Sequence, residues 1–273
     1  DLKNPEAIEI AKNLIRESDV MIESFAPGAI SRMGLSYEDV KKLNPKIIMI
    51  STCLMGQTGS ASGLAGYGYH ASAIAGFNDV TGFSDLGPYL PWVAYTDTIA
   101  PRFITILLAS ALDNLRRTGE GTYIDVAQIE TALHFLAPEI LDYQCNGYLA
   151  TRMANRSRFT APQGVYRCAG EDNWVAIGID TDDEFKKLAS VLGKDEWLEQ
   201  SSLNSNSERI DLHDELDQEI TEWTQRRDAK DVMDELQKAG IPSGAVQKSS
   251  DLLTDPQYEH RGFYRYMKHP EMG

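Results

Sequence analysis

Four consecutive apolar side chains, Ile47-Ile48-Met49-Ile50, stand between a helix-breaking Asn44-Pro45 and the polar Ser51. A strand that is apolar at every position has both faces covered, as central strands of parallel sheets do. Its surroundings fit. Ala7, Ile8, Ile10, Ala11, Leu14 and Ile15 recur at helical spacing over residues 5–17, and 19–23 (DVMIE) reads as a short strand. A turn at 24–28 (SFAPG) leads into a helix from Ala29 and another over 36–43. Helix, strand, helix, strand without a hairpin signal is the pattern of an α/β chain, so the sequence predicts a parallel, Rossmann-like sheet.

The longest element is expected over 95–121, YTDTIAPRFITILLASALDNLRRTGEG. Asp97 and Thr98 are short polar residues of the capping kind, and Pro101 suits a first turn, where its missing N–H has no partner. Ile99, Phe103, Ile104, Ile106, Leu107, Leu108, Ala111, Leu112 and Leu115 follow, apolar on nearly all sides. That pattern predicts a core helix whose N-terminus opens into a cleft. Arg116 and Arg117 suit the last turn, and Gly119 suits a left-handed cap. Taken alone, Asp97 reads as a cap residue.

Between these elements, 56–87 is rich in Gly, Ser and Thr, with GQTG at 56–59 and GLAGYG at 63–68. Loops after a parallel strand are where ligands bind in open α/β sheets, although these glycines match neither G-x-G-x-x-G nor a P-loop. A small-residue helix is expected at 71–76, a strand at 123–126 and a helix at 128–143. The large α/β domain thus covers 1–146, and 147–163, with Arg152, Arg156 and Arg158, reads as a linker. Residues 164–248 suit a second, smaller α+β domain. It has a hairpin of 165–168 and 174–179, helices over 182–192, 209–226 and 229–239, and a strand at 241–246. Residues 249–273 read as a return segment toward the large domain, with a short helix and a strand at 263–267.

With 26 basic and 41 acidic residues the net charge is −15, and no basic run stands out. Nucleic acid and anionic membrane surfaces are therefore poor partners, although a local Arg can still hold a phosphate. The apolar runs look too short to span a bilayer. Cys53, Cys145 and Cys168 are far apart and odd in number, without a CxxC or His cluster for a metal; reduced thiols in the cytoplasm are expected.

Read in order, the words SDVMIESFAPGAISRMGLSYEDVKKLNPKIIMIS, GQTG, YTDTIAP, RRTGEGTYIDVAQIE, NRSRFTAPQGVYRC, LQKAGIPSGAV and DPQYEHRGFY resemble the class III CoA-transferase (CaiB/BaiF) family. The resemblance implies a transferase that moves coenzyme A from an acyl-CoA thioester to a carboxylic acid, with Asp97 as covalent nucleophile and no permanently bound cofactor. It places Ser24, Phe25, Arg32 and Met33 against the CoA nucleotide and Gln57 and Gly59 near the thioester, and it counts Tyr67 among the CoA-binding residues. It also implies an interlocked homodimer. Family chains carry a βα segment before this sheet and a C-terminal return, so an incomplete sheet is expected here. Formyl-CoA-type members have an acid where this chain has Gly68, and racemase members have a His where it has Tyr67. An acyl-CoA racemase or isomerase on the same fold, and a CoA-binding fragment needing a partner chain, are the competing expectations.

Overall fold

The structure is a computed structural model describing residues 1–273. It divides into two compact units, Asp1–Ala154 and Asn155–Gly273, and the division falls within 147–163.

The first unit opens with α1 (Pro5–Arg16), whose Asn4 side chain accepts the Glu6 N–H. There follow β1 (Val20–Glu23), α2 (Ala29–Arg32), α3 (Tyr37–Leu43) and β2 (Ile48–Cys53). Then come α4 (Gly68–Ile74), α5 (Phe77–Val80), α6 (Tyr95–Thr118), β3 (Thr122–Ala127), α7 (Gln128–Leu133) and α8 (Ala137–Asn146). The sheet order is β1-β2-β3 and both pairings are parallel, with Ile48 opposite Val20 on one side and Thr122 on the other. The expected Rossmann-like arrangement is therefore present.

Alternation along the 47–50 run builds two cores. Ile47 and Met49 pack with Ile15, Ile30, Leu35 and Val40 from the α1–α3 side. Ile48 and Ile50 pack with Ala111 and Val126, flanked by Ile104, Leu108, Leu112 and Leu115 of α6. Each such isoleucine, fully buried, contributes about 1.5–3 kcal/mol. A third cluster joins Phe77, Ile99, Ala132 and Leu136.

Helix α6 departs from expectation in three ways. Ala94 precedes it without a side-chain bond, so Asp97 lies inside the first turn and neither it nor Thr98 is the N-cap. The Thr98 hydroxyl donates instead to Tyr95 O at 2.7 Å. Pro101 sits within the helix, where it cannot donate to the carbonyl of Asp97 four residues back. Only one face is buried: Ile106 is 63% exposed, and Leu107 is exposed beside it. Apolar residues lie all round the helix, and composition alone does not say which side meets the sheet. By length and composition this helix is also apolar enough to cross a membrane, contrary to the reading of run lengths. It ends as expected, with Gly119 at φ 75° donating to Leu115 O.

Other boundaries shift for local reasons. The small-residue helix begins earlier, at Gly68. The helix foreseen over 128–143 is broken by a 3-10 turn at His134–Leu136, just before Pro138. Gly121 shows why the α6–β3 turn is tight. Its N–H donates to Pro45 O, and a β-carbon there would stand 2.2 Å from Ile47 O.

The second unit has an antiparallel sheet of β4 (Gln163–Arg167), β5 (Trp174–Gly178) and β6 (Ser243–Ala245), in that order. Packed with it are α9 (Asp182–Leu192), α10 (Asn206–Asp211), α11 (His213–Thr224) and α12 (Ala229–Lys238), around Val175, Ile177, Leu188, Ile220 and Leu236. The single helix expected over 209–226 is two, meeting at Leu212. Short α13 (Ser249–Leu252) and α14 (Pro256–His260) follow. No strand forms at 263–267; Tyr266 and Met267 are exposed there, and Phe263 and Tyr264 pack their rings on Tyr258 instead.

Two polar residues organise this unit. Arg209 is fully buried, and its guanidinium donates to Ala161 O, Leu203 O, Asn206 Oδ1 and Asp182 Oδ1 while lying over the Phe185 ring. Every direction of the charge thus meets an acceptor or an aromatic face. His213 is buried, and its Nε2 accepts the Gln163 N–H at 3.1 Å, which requires an unprotonated nitrogen. Asp217, nearby, accepts from the Tyr166 hydroxyl at 2.7 Å and from Arg156. Burial pulls the His213 pKa below its ordinary 6.5, only partly opposed by the charge of Asp217.

Two outcomes follow. Gly121→Ala should lower stability by about 1–3 kcal/mol in chemical denaturation, because the β-carbon has no room beside the Ile47 carbonyl. His213, with its folded pKa depressed, contributes stability that is fully present above pH 6.5 and is lost as pH falls below it. The fluorescence of Trp174, Trp197 and Trp223, all in the second unit, should report a denaturation midpoint falling below that pH. His213→Gln should flatten this dependence, and an equal slope in the variant would contradict the assignment.

Candidate functional site

A cavity of about 670 Å³ opens in the first unit where strands end and helices begin. Ser24, Phe25 and Pro27 come from the turn after β1, Cys53 and Leu54 from the end of β2 and the residue after it, and Tyr67 and Gly68 from the start of α4. Asp97 comes from the first turn of α6 and Gln128 from the first residue of α7. This is the carboxyl edge of a parallel sheet, where α/β folds place their ligands.

The turn after β1 is shaped by a buried carboxylate. Glu23 Oε2 accepts the Phe25 N–H at 2.8 Å, turning the chain so that Phe25, 41% exposed, faces the cavity. At the start of α4, the Tyr67 N–H donates to His70 Nδ1 at 3.1 Å, and the Tyr67 ring stays 76% exposed. Asp97 lies directly against Gly68: a β-carbon on that glycine would stand 2.5 Å from Asp97 Oδ1. The carboxylate is exposed on the cavity wall, in the first turn of a long helix, where negative charge is favoured.

Of the residues proposed from the sequence, Asp97, Ser24, Phe25 and Tyr67 share this cavity, whereas Arg32, Met33, Gln57 and Gly59 are not among its lining. Arg32 ends α2 and folds over Gly28, its Nη1 3.2 Å from where a β-carbon would be, next to the Pro27 that lines the cavity. Met33 packs against the Ile15–Ile30–Leu35 core, the ordinary fate of a methionine after an amphipathic turn. The GQTG loop is tied down instead: the Gln57 N–H donates to both carboxylate oxygens of Asp125, at 2.9 and 3.1 Å. Gly59 bends that loop at φ 96°, its carbonyl accepting the Ser62 N–H.

Leu54 and Gln128 carry no chemical signature in the sequence, and Cys53 reads there only as a reduced thiol. Their only signal was position, just beyond the last strand-like residue. Burial pushes the Cys53 thiol up, and the negative charges of Asp125 and Glu23 push it further, which disfavours the thiolate. A second cavity of about 400 Å³, between α5 and α8, holds none of the predicted residues.

The family model described as CoA-transferase family III matches residues 1–273. The chain is 30% identical over 273 residues to succinyl-CoA–D-citramalate CoA-transferase of Chloroflexus aurantiacus, an alignment covering 100% of this chain and 68% of that protein. It is 27% identical over 273 residues to succinyl-CoA:glutarate CoA-transferase of Homo sapiens, covering 100% of this chain and 62% of the relative. The crystal structure of a CaiB/BaiF family protein from Brucella suis matches with a TM-score of 0.87 at 32% identity, over 96% of this chain and 69% of that one. The chain therefore spans 62–69% of the length of these three proteins.

The Asp125 contact yields an expected outcome. Asp125→Ala removes the only acceptor of the Gln57 N–H shown here, so hydrogen exchange at that amide should accelerate at least about tenfold while the Ile48–Ile50 amides stay protected.

Proposed function

The chain belongs to CoA-transferase family III, and on that premise we propose that it transfers coenzyme A from an acyl-CoA thioester to a free carboxylic acid through Asp97. The observation that carries the reading is the placement of the Asp97 carboxylate, exposed on one wall of a 670 Å³ cavity with Ser24, Phe25 and Tyr67.

A carboxylate oxygen of Asp97 attacks the thioester carbon. The C–S bond breaks, and coenzyme A leaves as thiolate from a mixed anhydride. The thiolate attacks the aspartyl carbonyl and expels the first acid as carboxylate, leaving an aspartyl-CoA thioester. The incoming carboxylate attacks that carbonyl and expels the thiolate again. The thiolate then attacks the acyl carbonyl of the new anhydride, forming the product thioester and restoring Asp97. No proton or electron is gained or lost overall, and the anhydride steps replace one difficult exchange.

Phe25 and Ser24 serve as contacts for the coenzyme A moiety, and Arg32, at the adjoining turn, as a phosphate partner. Met33, beside Arg32 in sequence, is partly buried against the α1–α3 core. The names of the relatives, with succinyl-CoA as donor and citramalate or glutarate as acceptor, support succinyl-CoA and a dicarboxylic acid as first substrates to try. The family's homodimer belongs to the same reading, and the exposed apolar side of α6 around Ile106 is the surface that supports it.

The test is an incubation with succinyl-CoA followed by hydroxylamine and peptide mass mapping. A hydroxamate at Asp97 is expected, and Asp97→Asn should lose at least about 10⁴-fold in turnover while keeping its affinity for coenzyme A. Turnover unchanged in the variant would overturn the assignment. Solvent-deuterium exchange at the α-carbon of a branched acyl-CoA, without hydroxamate, would favour racemisation.

A further inference from the structure

We propose that Gly68 and Thr96 are the positioning residues of Asp97, the glycine by leaving vacant the space the carboxylate fills and the threonine by fastening that turn. The inference rests on the transfer reading, in which Asp97 is the attacking group.

Two buried hydroxyls converge on one carbonyl. Gly68 O accepts from Ser72 Oγ at 2.9 Å within α4, and from Thr96 Oγ1 at 3.1 Å, across from the first turn of α6. Both Ser72 and Thr96 have no exposed surface, so water does not compete for these bonds. Thr96 immediately precedes Asp97, and its hydroxyl therefore fixes the backbone from which the carboxylate projects. The bond also explains why a polar residue is sealed at the start of a helix whose N-cap makes no side-chain bond.

The glycine acts by absence of volume. A β-carbon on Gly68 would stand 2.5 Å from Asp97 Oδ1, 2.7 Å from Asp97 Cγ and 2.8 Å from Ala94 Cβ. Real β-carbons do not approach other atoms so closely, so any side chain at 68 would turn the carboxylate away or part the two helix starts. Gly68 is not among the glycines with positive φ. Alanine is therefore compatible with its backbone and favours a helix more than glycine does. The effect of Gly68→Ala then reports the space and not backbone strain.

The experiment compares Gly68→Ala, Thr96→Val and Thr96→Ser with the wild type in steady state and in hydroxylamine trapping at Asp97. A misplacement of about 1 Å costs on the order of 10²-fold in rate, so Gly68→Ala should lose about that in kcat and in adduct formation, with the KM for the CoA ester little changed. Thr96→Val, which keeps the shape and removes the donor, should lower kcat in the same direction, and Thr96→Ser should restore it. A purely structural role would shift thermal stability without this split between kcat and KM. Wild-type kcat in both Gly68→Ala and Thr96→Val, alongside an inactive Asp97→Asn, would overturn the inference and leave the transfer reading standing. No rescue by Thr96→Ser would overturn the part given to the threonine. Unchanged turnover in Asp97→Asn would instead remove the transfer reading itself. Should Gly68→Ala fail to fold, the valine and serine pair decides.

Discussion

The first unit depends on one strand being buried from both sides. Because side chains alternate along β2, Ile47 and Met49 fall to one core and Ile48 and Ile50 to another. Two layers of helix are required to keep that run from water, and the chain supplies α1–α3 on one side and α6 on the other. The parallel pairing with β1 and β3 then sets all three strand ends at one edge. The cavity exists because helix starts and strand ends must meet there.

At that edge, the candidate site is built from contacts that no single segment owns. Asp97 and Gly68 are far apart in sequence, yet the carboxylate occupies the volume that a side chain at 68 would need. Thr96 and Ser72 share the Gly68 carbonyl, and Asp125 holds the Gln57 amide. Each is a small polar residue bonding backbone; Thr96 and Ser72 fasten the wall beside Asp97, and Asp125 the loop outside the cavity lining. Buried hydroxyl-to-carbonyl bonds suit this purpose: they are directional, uncharged and shielded from water.

The second unit solves a different problem, a small sheet of three strands that cannot hide itself. Its helices cover one core, and the buried Arg209 joins the loop at Ala161, the start of α9 and α10 by four acceptors. A buried cation so fully satisfied is a fastening between segments more than a source of net stability. In the same unit His213 is buried, and that burial lowers its pKa while its Nε2 accepts the Gln163 N–H.

Much of this was legible in the chain. The order of helix and strand, the apolar run of β2, the Gly119 cap and the hairpin from β4 to β5 all follow from local pattern, because period, cap chemistry and turn residues act within a few positions; the part given to Asp97 came from the family resemblance alone. Which face of α6 is buried, where its first turn begins, and why 263–267 forms no strand did not follow. An apolar residue reports a preference for burial and says nothing of the partner that provides it. Met33 and Arg32 make the same point at the site. Neighbours in sequence and both plausible ligands, one joined a core and the other folded over Gly28. The sequence by itself determined an α/β chain with a carboxylate at the head of its longest helix. Only the tertiary structure decided that this carboxylate rests in the gap left by Gly68, because volume is shared between segments and a one-dimensional pattern does not record it.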